Sequence, residues 1–375
     1  MIKTVQHSCS SAPVAPILQG QGSLGSTLPR FPSTRYQGSK RKILAELGRI
    51  FSEIEFDSVL DLYSGSGMVS LLLRHMGKRV DANDYQLFNQ VTARLFLQGT
   101  AGLFSGSAVD GKILNILSTA GERPGDLVSS GYGNIFFTDS ENSQIDGFCD
   151  HLNQVSGLER DLCIYAVGQA LLKKRPYNLF HRANLNMRRR DVTRSFGNAV
   201  TWETSIQEHA LKAVGELRAF PFGATAKPCR IFGENTVDLG RLPKDYDLIY
   251  LDPPYLNSRN VGVDYSDFYG FLEGLCDYSL FAQGDEKYPH KPIARKHSNW
   301  AQADTALGEL SAICAKWKSN VLVLSYRSDG LPRPEEINEV LSCGGRRVEV
   351  HGTGEYKYAL STTRTKEELF LVSFP

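Results

Sequence analysis

Asp252-Pro253-Pro254-Tyr255 ends the apolar run DLIYL (247–251), bringing a carboxylate, two rigid carbonyls and an aromatic ring together at one point of the chain. Two consecutive prolines fix φ and supply no N–H, so the floor of such a site offers acceptors only, with Tyr255 as a stacking surface. An acceptor pair of this kind fits an NH2 group carried on an aromatic ring. The exocyclic amine of adenine is a poor nucleophile because its lone pair is conjugated with the ring. If Asp252 and the Pro253 carbonyl each accept one of its hydrogens, the nitrogen is biased toward tetrahedral geometry. Those bonds strengthen as positive charge develops, which stabilises the transition state. An isolated DPPY also fits a solvent-exposed turn; here it closes a predicted strand and lies downstream of a second chemically suggestive loop.

That loop is DLYSGSG (61–67), with Asp61 and Tyr63 at the end of the apolar run SVLDLY (58–63) and Gly65 and Gly67 in the turn before a helical pattern. Glycines there let backbone approach a ligand lying across strand ends. Asp84 follows Gly65 by 19 residues, the offset at which a carboxylate can bond both ribose hydroxyls of a nucleoside. The G-x-G-x-x-G fingerprint is incomplete, because Ser70 stands where its third glycine would be, and a lone G-x-G also fits a plain tight turn. Asp61 would repel a pyrophosphate but can accept from an ammonium group, and no P-loop lysine follows. The pattern suits the methionine part of S-adenosylmethionine better than NAD or ATP.

A third feature is KKRPYNLFHRANLNMRRRDVTR (173–194), with eight Lys or Arg against one Asp. Lys173, Lys174, Arg175, Arg182, Arg188, Arg189, Arg190 and Arg194 could neutralise phosphates while arginine and asparagine side chains reach base edges. The alternative is a solvated charged face. His181 lacks an adjacent nucleophile or metal-ligand spacing. Tyr265 and Phe268 fit either a loop closing over a substrate base or the core of the next helix.

The elements that must position these residues alternate. Apolar residues from Ile43 to Ile54 predict a helix after Ser39, followed by strand 58–63, helix 68–76, strand 78–84 and helix 86–99. The alternation lapses from about 100 to 228, apart from a helix at 161–174. It resumes with strands at 229–234, 247–255 and 320–326, helices at 268–281 and 303–317, and two terminal strands at 346–352 and 368–374. This predicts an α/β fold with a mainly parallel sheet, interrupted by a long insertion. Residues 1–33, rich in Ser, Pro, Gly and Gln, predict a mobile tail.

The chain has 375 residues, and its 42 Lys and Arg nearly balance its 41 Asp and Glu, which excludes a histone-like or acidic-tail protein. Seven scattered cysteines without a CxxC support neither a disulfide framework nor a zinc site. Apolar stretches are too short for a membrane span. The start of the chain does not read as a signal peptide, so a cytoplasmic location is expected.

Taken in order, RYQGSK (35–40), DLYSGSG, AND (82–84), IFGEN (231–235) and DLIYLDPPY resemble the D12 class of N6-adenine DNA methyltransferases, the Dam-like family. The resemblance covers about 35–100 and 229–374. It implies a Rossmann-like SAM-dependent methyltransferase sheet at 34–100 and 229–375, with a target-recognition, DNA-binding insertion at 101–228. It further implies that Tyr36 and Lys40 lie beside cofactor and active site, that Asp61, Gly65 and Gly67 frame the methionine moiety, and that Asp84 holds the ribose. Asn235 would sit at the cofactor adenine, and Asp252 to Tyr255 would hold a flipped target adenine. Two positions depart from the family pattern, which often has Phe at Tyr63 and Asp at Asn235.

The expected function is site-specific adenine N6 methylation of double-stranded DNA by S-adenosylmethionine, in a restriction-modification or similar marking role. A cognate restriction endonuclease or defence-system subunits would be its partners. An RNA adenine or cytosine-N4 methyltransferase and an idle DNA-binding subunit are the alternatives. No metal is expected. Changing Arg188, Arg189 and Arg190 together to Ala should lower DNA affinity and flatten its salt dependence, the log–log slope dropping by about one per lost phosphate contact. Filter-binding titrations across salt concentrations check this, and an unchanged slope would make the cluster a solvated face.

Overall fold

The computed structural model describes residues 28–99, 103–104, 115–116, 126–181, 185, 187, 198–222, 227–234, 236–256, 265–293, 298–318, 320–356 and 365–373. After a 3-10 turn at Lys40–Ile43, helix α1 (Leu44–Ser52) leads to β1 (Ser58–Asp61), α2 (Met68–His75), β2 (Arg79–Asn83) and α3 (Leu87–Gln98). The insertion contributes α4 (Leu127–Gly131), α5 (Asp139–His151), α6 (Gly157–Lys173), α7 (Asn198–Glu203) and α8 (Ile206–Arg218). The α/β pattern then resumes with β3 (Ile231–Phe232), β4 (Leu248–Leu251), α9 (Tyr265–Cys276), α10 (Ala303–Lys316), β5 (Val321–Arg327), α11 (Pro334–Ser342), β6 (Arg347–Tyr356) and β7 (Thr365–Ser373).

The strands form one sheet in the order β3-β2-β1-β4-β5-β7-β6. The first five run parallel, and β7 is antiparallel to both β5 and β6. From β1 the chain winds outward through β2 to β3, then returns to place β4 on the other side of β1. That reversal opens a crevice beyond the carboxyl ends of β1 and β4, where open α/β sheets bind ligands.

Side-chain alternation divides the core between the two faces. Val59, Leu248, Tyr250 and Val323 pack with α1, α2, α3 and α9. Leu60, Ile249, Leu251, Leu322 and Leu324 pack with α10 and α11. Both faces are thus covered, as a parallel sheet requires.

The first of these clusters continues without a break into the insertion through residues such as Phe148, Leu162, Tyr165 and Leu217. Arg94 of α3 grips Asp161 of α6 with a forked ion pair at 2.7 and 2.9 Å. Outside the insertion, Glu273 of α9 accepts the Leu87 and Phe88 backbone N–H groups at 2.9 and 3.1 Å. It thereby satisfies donors that the first turn of α3 would leave orphaned.

The tail expectation needs correction over 28–33. Phe31 is buried against His75 and Phe220, and the Ser33 N–H donates to Glu216 at 2.6 Å. An aromatic ring with a hydrophobic slot available outweighs the low-complexity composition around it. This strap continues through Arg35, whose N–H donates to Gln169 at 2.9 Å, and so links α6 and α8 to the segment carrying Tyr36. The helix expected at 268–281 instead starts at Tyr265 and ends at Cys276, with Asp277 capping a following 3-10 turn.

Gly168 of α6 faces Phe88 of α3 so closely that an added Cβ would lie 2.2 Å from the ring. Alanine gains about 1 kcal/mol over glycine in a solvated helix, whereas overpacking a core costs about 1–3 kcal/mol. Gly168→Ala should therefore lower the urea midpoint. An unchanged or raised midpoint would mean that α3 and α6 are not packed together.

Candidate active site

Strand β1 ends at Asp61, and the chain turns at Gly65 (φ 48°) and Gly67 (φ 69°) into α2. These left-handed conformations favour glycine. At Gly67 a Cβ would also strike Phe96 at 2.9 Å. Ser70, which stands in place of a third glycine, anchors the strand-end carboxylate, its hydroxyl donating to Asp61 Oδ2 at 2.5 Å.

The other oxygen of Asp61, Oδ1, is buried and has no hydrogen-bond partner among the described residues. Burial pushes this carboxyl up to about 7, and the negative charges of Asp252 and Asp84 push the same way, while the Ser70 hydroxyl opposes them. An orphaned, reluctantly ionised carboxylate in a cleft is complementary to a cationic ligand group.

Asp84 follows β2 and organises the neighbouring loop. Its Oδ2 accepts from the Gly65 N–H at 2.9 Å and from Asn89 at 3.1 Å, and its Oδ1 accepts from the Gln86 N–H at 2.8 Å. Tyr36 lies beside it, with its hydroxyl donating to Gln86 at 2.9 Å and accepting from Asn89 at 3.1 Å. Its ring stacks on Tyr269 at 4.2 Å and parallel to Tyr265 at 5.4 Å. Burial raises the hydroxyl pKa of both Tyr36 and Tyr265 well above the ordinary value.

Strand β4 delivers Asp252 to the same cleft. Its Oδ1 pairs with Lys40 Nζ at 2.9 Å, and the lysine side chain is only 4% exposed. Tyr36, Lys40, Asp61, Tyr63, Gly65, Asp84, Asp252, Pro254 and Tyr255 all line one pocket with an empty volume of about 740 Å³. Pro253 is buried, and Gly67 caps α2. Asn235 lies outside the described residues.

Tyr63, at a position where the family pattern often has phenylalanine, uses its extra hydroxyl. It donates to Glu309 at 2.5 Å and accepts from Trp300 Nε1 at 2.9 Å. Sequence reasoning missed Gln86, Asn89 and Tyr269, all polar or aromatic residues inside helical patterns that give no separate signal. Of the two open aromatic positions, Tyr265 lines the cleft, and Phe268 packs edge-on to His181 at 5.3 Å.

The basic segment needs two corrections. Lys174 is buried, with its ammonium bonded to the Trp202 and Thr204 carbonyls at 2.7 and 2.5 Å and to Glu141 at 3.0 Å. Arg175 is also buried, donating to the Phe136 carbonyl at 2.8 Å with its guanidinium 4.8 Å from the Phe136 ring. Both are structural cations of the insertion, out of reach of a phosphate. Lys173 is half-buried, and burial lowers its pKa. Arg182, Arg188, Arg189, Arg190 and Arg194 lie outside the described residues.

Residues 36–113 match the family model of the D12 class N6 adenine-specific DNA methyltransferases. This marks the chain as an adenine-specific DNA methyltransferase. The matched segment contains Tyr36, Lys40, the glycine loop and Asp84, while Asp252 joins them through the sheet. Over 370 residues the methyltransferase is 22% identical to the Type II methyltransferase M2.HphI of Haemophilus parahaemolyticus, spanning 92% of this chain and 98% of that one. A solved structure, the rRNA methyltransferase aviRa of Streptomyces viridochromogenes, aligns over 94% of this chain and 90% of its own at 12% identity, with a TM-score of 0.31.

The raised Asp61 pKa fixes a sign. Between the unfolded carboxylate range and about 7, the folded protein holds a proton that the unfolded chain has released. Stability contributed by this group therefore falls as pH rises through that window. Asp61→Asn should flatten the decline in unfolding free energy between about pH 4 and 7, measured by urea titration at each pH. A variant with the wild-type slope would contradict the assignment.

Proposed function

We propose that this methyltransferase binds S-adenosylmethionine in the cleft beyond β1 and methylates N6 of an adenine turned out of double-stranded DNA. The observation carrying this reading is the juxtaposition of Asp61 and Asp252 at the ends of neighbouring strands, one with a buried orphan oxygen and the other ion-paired to Lys40.

The chain's residues fit the cofactor. Asp61 Oδ1 would accept from the amino group of the methionine part, an interaction that also restores the ionised carboxylate. Gly65 and Gly67 add no side chain of their own to the β1–α2 turn and adopt its left-handed backbone. Asp84 holds that turn in shape through the Gly65 N–H and is proposed for the ribose hydroxyls, while Asn235 is proposed for the adenine edge. When bound, S-adenosylmethionine supplies an electrophilic methyl group.

On the substrate side, Tyr255 provides a face for the extruded base, and Asp252 with the Pro253 carbonyl accepts the N6 hydrogens. Lys40 holds one Asp252 oxygen and fixes the carboxylate in place. As N6 takes up the methyl group it becomes cationic, and the acceptors that face it bind it more tightly than the neutral amine. The surplus proton leaves N6 along one of these hydrogen bonds. The insertion at 101–228, with Lys173, Arg182, Arg188, Arg189, Arg190 and Arg194, is proposed as the surface that grips phosphates and reads the site. A restriction-modification role is supported by likeness to a type II methyltransferase.

Asp252→Asn keeps the side-chain shape and leaves Lys40 an oxygen to bond, but replaces a charged acceptor. Turnover should fall by about a hundredfold to a thousandfold, with binding of S-adenosylmethionine and DNA nearly unchanged. Mass spectrometry of digested plasmid DNA, with calorimetric titration of the cofactor, checks both halves. Near-normal N6-methyladenine would remove Asp252 from the mechanism.

A further inference from the structure

Tyr255 is packed against a cation and a second aromatic ring. The Arg327 guanidinium, at the end of β5, lies 4.8 Å from the centroid of the Tyr255 ring, within reach of a cation–π contact. A planar fork to Asp329 locks the guanidinium in turn, with Nε donating to Oδ1 at 2.6 Å and Nη2 to Oδ2 at 2.5 Å. Tyr326 meets the same ring edge-on at 6.3 Å and 82°. The segments following β4 and β5 are tied by reciprocal backbone bonds between Leu256 and Leu331, at 3.3 and 2.9 Å. Tyr255 lines the cleft, whereas Arg327 is not among the residues that line it.

We propose that Arg327 and Asp329 are a positioning pair that presents Tyr255 as a fixed stacking plate for the target base. This deepens the reading of the same site given above and rests on it. The chemistry explains why the support is a pair. A guanidinium against the ring pins its plane more firmly than an aliphatic side chain would. An uncompensated cation there would oppose the positive charge that develops on the attacking amine, and Asp329 cancels it. The two residues therefore act on different quantities. Arg327 sets how well the base stacks, whereas Asp329 protects the transition state.

The test maps the modified sequence by methylation-sensitive sequencing of DNA from expressing cells, then replaces its target adenine with 2-aminopurine to read stacking by fluorescence. Turnover, KM for DNA and affinity for S-adenosylmethionine are measured in parallel. Arg327→Met should lower kcat/KM by about twofold to thirtyfold, the range of a cation–π contact, and should raise the emission of the extruded 2-aminopurine by loosening its stack. Arg327→Lys should recover part of both effects. Asp329→Asn keeps one oxygen that can hold the guanidinium but removes the countercharge, so emission and KM should stay near those of the wild type while kcat falls, and adding Arg327→Met to it should be no worse than Arg327→Met alone. Cofactor affinity should stay constant throughout.

Wild-type emission and kcat/KM in Arg327→Met would overturn the proposal, as would losses that track cofactor affinity or thermal stability. If Arg327→Met does not fold, Arg327→Lys and Asp329→Asn decide, and wild-type kinetics in both refute it. Failure of the underlying reading looks different: the wild-type protein itself would leave no N6-methyladenine in DNA.

Discussion

Three carboxylates at the ends of adjacent parallel strands converge on one cleft, and the rest of the site follows from the need to balance them. Asp61 ends β1, Asp84 and Asp252 follow β2 and β4, and all three line the same pocket. Like charges gathered in a partly desolvated space resist ionisation, and each of the three is handled differently. Asp84 is stabilised by backbone and side-chain N–H donors. Asp252 takes the buried ammonium of Lys40. Asp61 has a single serine hydroxyl and an orphan oxygen, and its carboxyl is pushed up to about 7. That imbalance is a standing preference for a cationic ligand.

Legibility from sequence follows the range of the interactions. The β1–α2 turn and the DPPY segment are readable because strand periodicity and turn chemistry are local, and both reappear at the crevice where the sheet order reverses. The Lys40–Asp252 pair joins residues far apart in the chain, and only the sheet makes them neighbours. The same is true of the Arg327 support for Tyr255. Ser70 reads as a defect in a glycine fingerprint, although its hydroxyl is what bonds Asp61.

The errors have a common physical origin. Charge density along the chain does not distinguish cations that face solvent from cations that are desolvated and fully bonded, so Lys174 and Arg175 read as phosphate contacts while serving the interior of the insertion. Composition likewise hides Phe31, one buried ring in a polar stretch. The insertion helices α5, α6 and α8 share a continuous apolar core with α3 and α9, and the strap at 28–38 crosses that junction on its way to Tyr36.

The most direct test of the charge-balance account is the proton inventory of cofactor binding. Calorimetric titration with S-adenosylmethionine at about pH 7, repeated in buffers of different ionisation enthalpy, reads the protons exchanged. A carboxyl held at about 7 is half protonated there, so an ammonium group engaging Asp61 should release about half a proton per molecule bound. The release should vanish in Asp61→Asn and fade above about pH 8.5 as the carboxyl ionises unaided. Tight binding with no proton exchange near neutral pH would mean that Asp61 does not receive the cation and that the three carboxylates are balanced in some other way.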